Sequence, residues 1–400
     1  MLLVHFKSRD LTRLHRQGRF WHIFFIGKAG LGGAIVAQNE IDTWTTHLAL
    51  PLEQDPEAIG SHEAVYRVLG GLYDQYEIKI DEVLVRSTYR PNIAIAGAYS
   101  GLHGRVYLAG DAAHQNIPTG GYGMNMGIAD AFDLGWKLST VINGYGGDDL
   151  LASYEEDRRP VALVSIERSG VHMGVHMDTA KIIGDKVSSI DAETQEGDQL
   201  RHAIHEHYQS NPGENTDLGI EMGYRYKSRV TASDSLEEPK WDPAAYLPTT
   251  WPGTRAPHVF LRDGQSIFDS YGKYFTLIEF VDSQHRGADL VMKAASDQWV
   301  PVKHVRLENE EHAHKIWEKR LVLVRPDGHV AWRTENVETI DEARRAVMTM
   351  AGRKIADRHI TNATTEKSEN TAKTQIFSST VGTISQRSNF DLERMGDFQV

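Results

Sequence analysis

Residues that could do chemistry concentrate between Arg105 and Leu138, in the stretch RVYLAGDAAHQNIPTGGYGMNMGIADAFDLGWKL. The apolar run Val106 to Ala109 predicts a strand, and Gly110-Asp111 stands at its end. Ligands gather at the carboxyl ends of strands in α/β sheets, and a carboxylate placed there accepts hydrogen bonds from ligand hydroxyls. Gly120, Gly121 and Gly123 lack the Cβ atoms that would hold a flat ring away from the backbone. The helical pattern that follows aims its free N–H groups and positive dipole end at whatever lies over those glycines. An anionic group at that point gains about 0.3–1 kcal/mol, and more when buried.

The ordered string Gly110-Asp111-Ala112-Ala113-His114, Pro118, Gly120, Gly121, Gly123, Asn125, Asp130 and Trp136-Lys137-Leu138 resembles the second flavin-binding motif of the class A flavoprotein aromatic hydroxylases. That family includes para-hydroxybenzoate hydroxylase and phenol hydroxylase. The resemblance implies an α/β (α+β) chain: a partial para-hydroxybenzoate hydroxylase-like flavoprotein fold with a mixed substrate-domain sheet, followed by a thioredoxin-like domain. It implies FAD as cofactor, NAD(P)H as co-substrate, O2, and a small phenolic or aromatic substrate that becomes hydroxylated. Such a site positions the ring, favours its phenolate and excludes water. The cofactor-binding set carried over by position is Gly110, Asp111, Pro118, Gly121, Gly123, Met124 and Asn125. Asp111 would hold the ribityl chain and Pro118 would pack near the reactive edge of the flavin. Gly123, Met124 and Asn125 would meet the pyrimidine side through backbone groups. No substrate base is singled out among His47, Tyr122 and His114.

Several elements must position these residues. Leu2 to Phe6 and Trp21 to Gly27 read as strands. Gly27, Gly30 and Gly33 tempt a dinucleotide-fold reading, but G-x-x-G-x-x-G is one residue too long and β-branched residues follow instead of a helix. A hairpin is the expectation. The alternating stretch from Thr43 to Leu50 could bring Trp44, Thr46 and His47 near a substrate pocket. A helix is predicted from His62 to Leu72, with Val65, Val68, Leu69 and Leu72 on one stripe, and a strand region from Glu77 to Thr88. The helix from about Met124 to Ile142 carries Ile128, Ala131, Phe132, Gly135, Leu138 and Ile142 on its apolar face, with Asp133 and Lys137 as an (i, i+4) pair. A further helix over Leu150 to Arg168 contains Pro160, which predicts a kink or a new start. Its Tyr154, Arg158, Arg159 and Pro160 also resemble the family pattern, although the arginines could equally be solvated ion-pair formers. Asp217 to Tyr226 is expected to be a returning strand.

The expected organisation is a substrate-domain sheet over residues 1–100, then the flavin motif, helical region and returning strand over 101–236. A thioredoxin-like domain over 251–350 and a disordered tail over 362–400 follow. Pro252 to Gly264 resembles the start of that thioredoxin-like domain, and Arg325 to Arg333 its closing hairpin, where Asp327-Gly328 is a hairpin signal in its own right. With no cysteine it cannot exchange thiols, so a structural role or subunit contacts, as in a homodimer, are expected.

A net charge of -12 disfavours nucleic acid and anionic membrane partners. No apolar run approaches the roughly 20 residues of a membrane span, and a cytoplasmic location is expected. His172 with His176, and His202, His205 and His207, could suggest a metal, but no H-E-x-x-H string accompanies them. No metal site is expected. The family's opening G-x-G-x-x-G segment is not found before Arg105, which reads as a truncated form with weakened flavin affinity. The alternative is a catalytically inactive fragment or homologue acting as a binding module.

Overall fold

The computed structural model describes residues 1–27, 30–51, 53–90, 92–101, 103–281 and 287–354. The expected tail lies outside the described residues.

The first sheet is built from β1 (Leu2–Lys7), β2 (His22–Gly27), β3 (Gly30–Ala37) and β4 (Thr43–Leu48), then, after helix α1 (Ser61–Gly70), from β5 (Glu82–Thr88). Its order is β2-β3-β4-β1-β5, with every neighbouring pair antiparallel. The glycine stretch is a hairpin: β2 and β3 pair through Gly27 and Gly30. Because side chains alternate along a strand, one face gathers Leu2, Val4, Phe6, Ile35, Trp44 and Leu48 against Ala64, Val65 and Val68 of α1. This corrects the grouping of Trp44, Thr46 and His47. Even and odd positions point to opposite faces, so Trp44 and Thr46 are buried in the core, and the Trp44 indole donates to the Ser8 carbonyl (2.9 Å). Of the three, His47 alone belongs to the other face.

Short pairs follow: β6 (Ala94–Ile95), β7 (Ser100–Gly101), β8 (Val106–Tyr107) and β9 (His114–Gln115). They frame the loop that leads into α2 (Tyr122–Ile142) and α3 (Asp148–Ile183). Helix α3 is longer than its sequence suggested and runs unbroken through Pro160. Asp157, Arg158, Val161 and Ala162 around the proline are all buried, and that packing holds the turn together despite the lost N–H.

Helix α2 is inverted relative to expectation. Its apolar stripe faces outward: Met124 is 74% exposed, Ile128 61%, Phe132 57% and Ile142 79%. Its buried side carries Tyr122, Met126, Asp130, Asp133, Trp136, Lys137 and Thr140. Asp133 and Lys137 do pair, at 2.7 Å, but in the interior.

Beyond α3 come α4 (Gln195–Ser210), α5 (Gly213–Thr216) and α6 (Leu218–Glu221). The expected returning strand is therefore absent over Asp217 to Tyr226, where α6 is followed by a single bridge from Arg225 to Thr254. Asp217 supplies an ion pair to Arg168 and the backbone turns about it, which the apolar pattern did not reveal.

The second sheet comprises β10 (Phe275–Phe280), β11 (Val302–Leu307), β12 (Leu321–Val324) and β13 (Val330–Thr334), with helices α7 (Gly287–Asp297), α8 (Glu311–Trp317) and α9 (Ile340–Met350). Its order is β11-β10-β12-β13; β10 and β11 are parallel and the remaining pairs antiparallel. The Asp327-Gly328 hairpin joins β12 and β13, with Gly328 at φ 78°. Trp136 of α2 and Leu150 of α3 share one apolar core with Phe275, Leu277, Leu323 and Val347, so this sheet is packed onto α2 and α3. Among the described residues no helix is long and apolar enough to cross a membrane.

Candidate functional site

The loop between β8 and α2 concentrates the predicted residues. Gly110 and Asp111 open a short turn just after β8. Gly110 adopts φ 58°, and a Cβ on it would meet the Gly127 backbone of α2 at 3.6 Å. Asp111 is exposed, so its carboxylate can accept from a ligand. Pro118 lies exposed in the loop. Gly121 caps α2 with φ 65°, and a Cβ there would meet nothing within 4 Å. Among the described residues no side chain caps it, so the first-turn N–H groups, at Tyr122, Gly123 and Met124, have no acceptor there. Asn125 donates back to the Gly121 carbonyl (3.0 Å). All seven predicted residues thus surround the amino end of α2.

A hub missed by sequence reasoning fixes this arrangement. Asp130, fully buried, accepts from the Gly110 N–H (3.0 Å) and from Arg158 Nε (2.7 Å), and meets His114 Nε2 at 2.8 Å. Burial opposes its ionisation, but His114 and Arg158 outweigh it and its carboxyl is held low. Arg158 also donates to the Tyr226 hydroxyl (2.8 Å) and the Met126 carbonyl (3.2 Å). The solvated-arginine alternative therefore fails for Arg158. Arg159 is half-buried and donates to the Ala96 carbonyl (3.1 Å).

Deeper in, three carboxylates share two cations. Lys137 reaches Asp133 and Asp157, each at 2.7 Å, and Arg325 reaches Asp133 (3.0 Å), Asp157 (3.0 Å) and Asp327 (2.6 Å). Burial pushes Asp133 up to about 7, with Lys137 and Arg325 offsetting only part of it. For Asp327, Arg325 and His329 outweigh burial and hold the group low. Of the three carboxyls, Asp133 is therefore the one that protonates most readily. An acid whose folded pKa is raised contributes stability that is present below its unfolded value and lost as pH rises through the folded one. His22, His47, His172 and His329, all lowered by burial, act with the opposite sign around pH 6.5, so the contribution of Asp133 is read as a difference between two chains. Relative to Asp133→Asn, the parent should lose thermal stability as pH rises toward about 7; a difference that does not change with pH would refute the assignment.

Among the histidines weighed as metal ligands, His172, His176 and His207 meet protein groups. His172 Nε2 lies 2.9 Å from the Tyr122 hydroxyl, and His176 Nε2 lies 2.6 Å from Glu214. Among the described residues no cluster could hold a metal ion. Glu214 also accepts the Gly120 N–H (3.0 Å), which ties the glycine loop to α3. Of the three residues left open as substrate base, His114 is buried against Asp130, and Tyr122 is bonded to His172 and pushed up to about 12 by burial. His47 is half-buried on the sheet face opposite Trp44.

Comparison with known proteins sets this α/β architecture and its loop in a flavoprotein family. A family model described as an FAD binding domain matches residues 1–169, and one described as aromatic-ring hydroxylase, C-terminal, matches residues 249–354. The chain belongs to the FAD-dependent monooxygenases with aromatic-hydroxylase relatives. It is 47% identical to the FAD-dependent monooxygenase opdD of Penicillium oxalicum over 88% of this chain and 69% of that protein. It is 44% identical to the FAD-dependent monooxygenase apdD of Emericella nidulans, over 88% of this chain and 58% of that one. The solved rebeccamycin biosynthetic enzyme RebC with reduced flavin superposes with a TM-score of 0.73 at 31% identity, covering 88% of this chain and 62% of RebC. The chain thus spans 58–69% of these proteins' lengths. The residues present fit FAD, the family's cofactor: an uncapped helix start, a Cβ-free surface at Gly121 and an exposed carboxylate at Asp111.

Proposed function

We propose that this chain takes part in FAD-dependent hydroxylation of a phenolic or aromatic ring with NAD(P)H and O2. Bound FAD, reduced by NAD(P)H, supplies the activation of O2. The chain's own part is to hold and orient. Asp111 accepts from the ribityl hydroxyls. The open N–H groups at Gly123 and Met124 meet the pyrimidine side, where negative charge is favoured by the helix dipole. Gly110, Gly121 and Asn125 shape that surface, and Pro118 packs beside the ring. Residues 1–100 bring the substrate sheet, 101–236 the flavin loop and its helices, and 251–350 the thioredoxin-like unit, a surface suited to homodimer contacts. The observation that carries this reading is the coincidence, at one helix start, of an exposed carboxylate, a left-handed glycine with open space above it and unused backbone donors.

Titration of the 400-residue chain with FAD, followed by flavin fluorescence, tests it. Binding is expected. Asp111→Ala should weaken it by about ten- to a hundredfold, the range of charge-assisted hydrogen bonds. Equal affinity in the variant, or no binding at all, would sink the reading. The outward apolar stripe of α2 (Met124, Ile128, Phe132) favours a second reading, a catalytically inactive binding module, and absence of FAD binding is the result that module predicts.

A further inference from the structure

A cavity of about 360 Å3 opens on the carboxyl-terminal unit and shares no residue with the flavin loop. It lies where the residue after α6, the segment leading into the second sheet, the turn Ile267–Ser270 and α8 meet. Small-molecule sites run from about 300 to 1,000 Å3, so its size suits a compact ligand. Tyr246 and Phe268 give it aromatic faces, and Met222, Pro248 and Ile316 aliphatic ones. An aromatic ring buries well against such a lining.

The charges around the cavity decide the polar end of that ligand. Arg255 lines it with the guanidinium over the Phe268 ring, 5.8 Å from the centroid, and Lys315 lines it from α8. Among the described residues no carboxylate pairs with either cation: Glu318 goes to Arg333 and Glu311 to Arg262. Glu318, which also lines the cavity, accepts in addition from Thr249 Oγ1 (2.9 Å) and the Thr250 N–H (3.1 Å), so its charge is compensated. His258 meets Ser266 Oγ at 2.9 Å. In a chain of net charge -12, two uncommitted cations on one cavity favour an anion there. Tyr271 adds to this. It packs on Phe268, ring centroids 5.5 Å apart, and its hydroxyl is buried without a hydrogen-bond partner, within the field of both Arg255 and Tyr246.

We propose that this cavity is a binding site for an aromatic carboxylate, separate from the flavin loop: the ring packs on Tyr246, Phe268 and Ile316, and the carboxylate meets Arg255 and Lys315. A guanidinium presents a carboxylate with a planar fork, whereas an ammonium acts as a point charge. Arg255 therefore makes the directional contact and Lys315 adds attraction. The site stands apart from the function proposed above and survives or fails without it.

2-Naphthoate is the probe, and calorimetric titration of the 400-residue chain is the measurement. One saturable site is expected. 2-Naphthalenemethanol, the same ring with a neutral hydroxymethyl group in place of the carboxylate, should bind about tenfold more weakly or worse. Arg255→Gln should weaken 2-naphthoate by about tenfold, the lower end for a charge-assisted hydrogen bond because Arg255 is exposed. Lys315→Gln should weaken it by about two- to fivefold, as loss of an exposed charge pair does. Both side chains are exposed, so the circular dichroism spectrum should not change. Should a variant misfold, the comparison of acid with alcohol on the unaltered chain decides. Probe held beside the flavin loop instead would bind Arg255→Gln and the parent equally. That equality, equal affinity for acid and alcohol, or no binding at millimolar probe each overturns the inference.

Discussion

Asp130→Ala should lower the unfolding free energy by about 3–5 kcal/mol, as removal of one partner from a buried ion pair does. Domains of this kind hold about 5–15 kcal/mol in total, so the loss should show as a large drop in the urea midpoint. The cause is specific. Arg158 would keep only Tyr226 and Met126 as partners, and its charge would stay in the interior. The Gly110 N–H and His114 would lose their acceptor in the same step. Two variants tell the network apart from simple loss of volume. Arg158→Met alone should be equally harmful, while Asp130→Leu with Arg158→Met should recover part of the loss, because no lone charge remains. Strict additivity in that cycle would mean the pair is not coupled. FAD affinity should fall with Asp130→Ala even at temperatures where the chain is folded, since Gly110 and Asp111 are no longer fixed.

Arg325→Leu should be the other severe change, also about 3–5 kcal/mol at neutral pH. Arg325 has three carboxylate partners and lies over Trp136 (5.2 Å) and Tyr226 (4.9 Å). Leucine leaves Asp133, Asp157 and Asp327 with Lys137 as the shared cation. Acid relieves such crowding by protonating a carboxylate, so the deficit should shrink as pH falls toward 5. Thermal melts of variant and parent across pH provide the measurement, and a deficit that stays constant would contradict the charge-crowding account. Arg325→Lys should not rescue, because an ammonium cannot present the planar fork that serves several carboxylates at once.

Much of the fold was legible in the sequence where local pattern and tertiary setting agree. Leu2, Val4 and Phe6 alternate and are buried as a strand face should be; Asp327-Gly328 makes its hairpin; Gly110 to Asn125 converge on a helix start. The misses share a physical origin. Periodicity finds the apolar stripe of α2 but not whether anything covers it, and here Asp130 meets His114 and Arg158 inside, and Asp133 meets Lys137, while Ile128 and Phe132 face out. Pro160 signals a break that buried neighbours override. The His176–Glu214 pair that holds the Gly120 N–H joins a long helix to a one-turn helix that no local pattern links. The one available signal was parity: His47 and Trp44 could never share a strand face.

The indole of Trp136 donates to Asp327 (3.3 Å), at the tip of the β12–β13 hairpin. Twelve residues earlier on the same helix lies Met124, about 18 Å away at 1.5 Å per residue, beside Gly121 and the flavin loop. Helix α2 is therefore a strut clamped at its far part by the carboxyl-terminal unit and, through the Gly127–Gly110 approach, pressed against the loop at its near part. Tilt imposed at one clamp arrives at the other with little slack. The hairpin of the second sheet and the loop that starts at Gly110 are thus two supports of one helix.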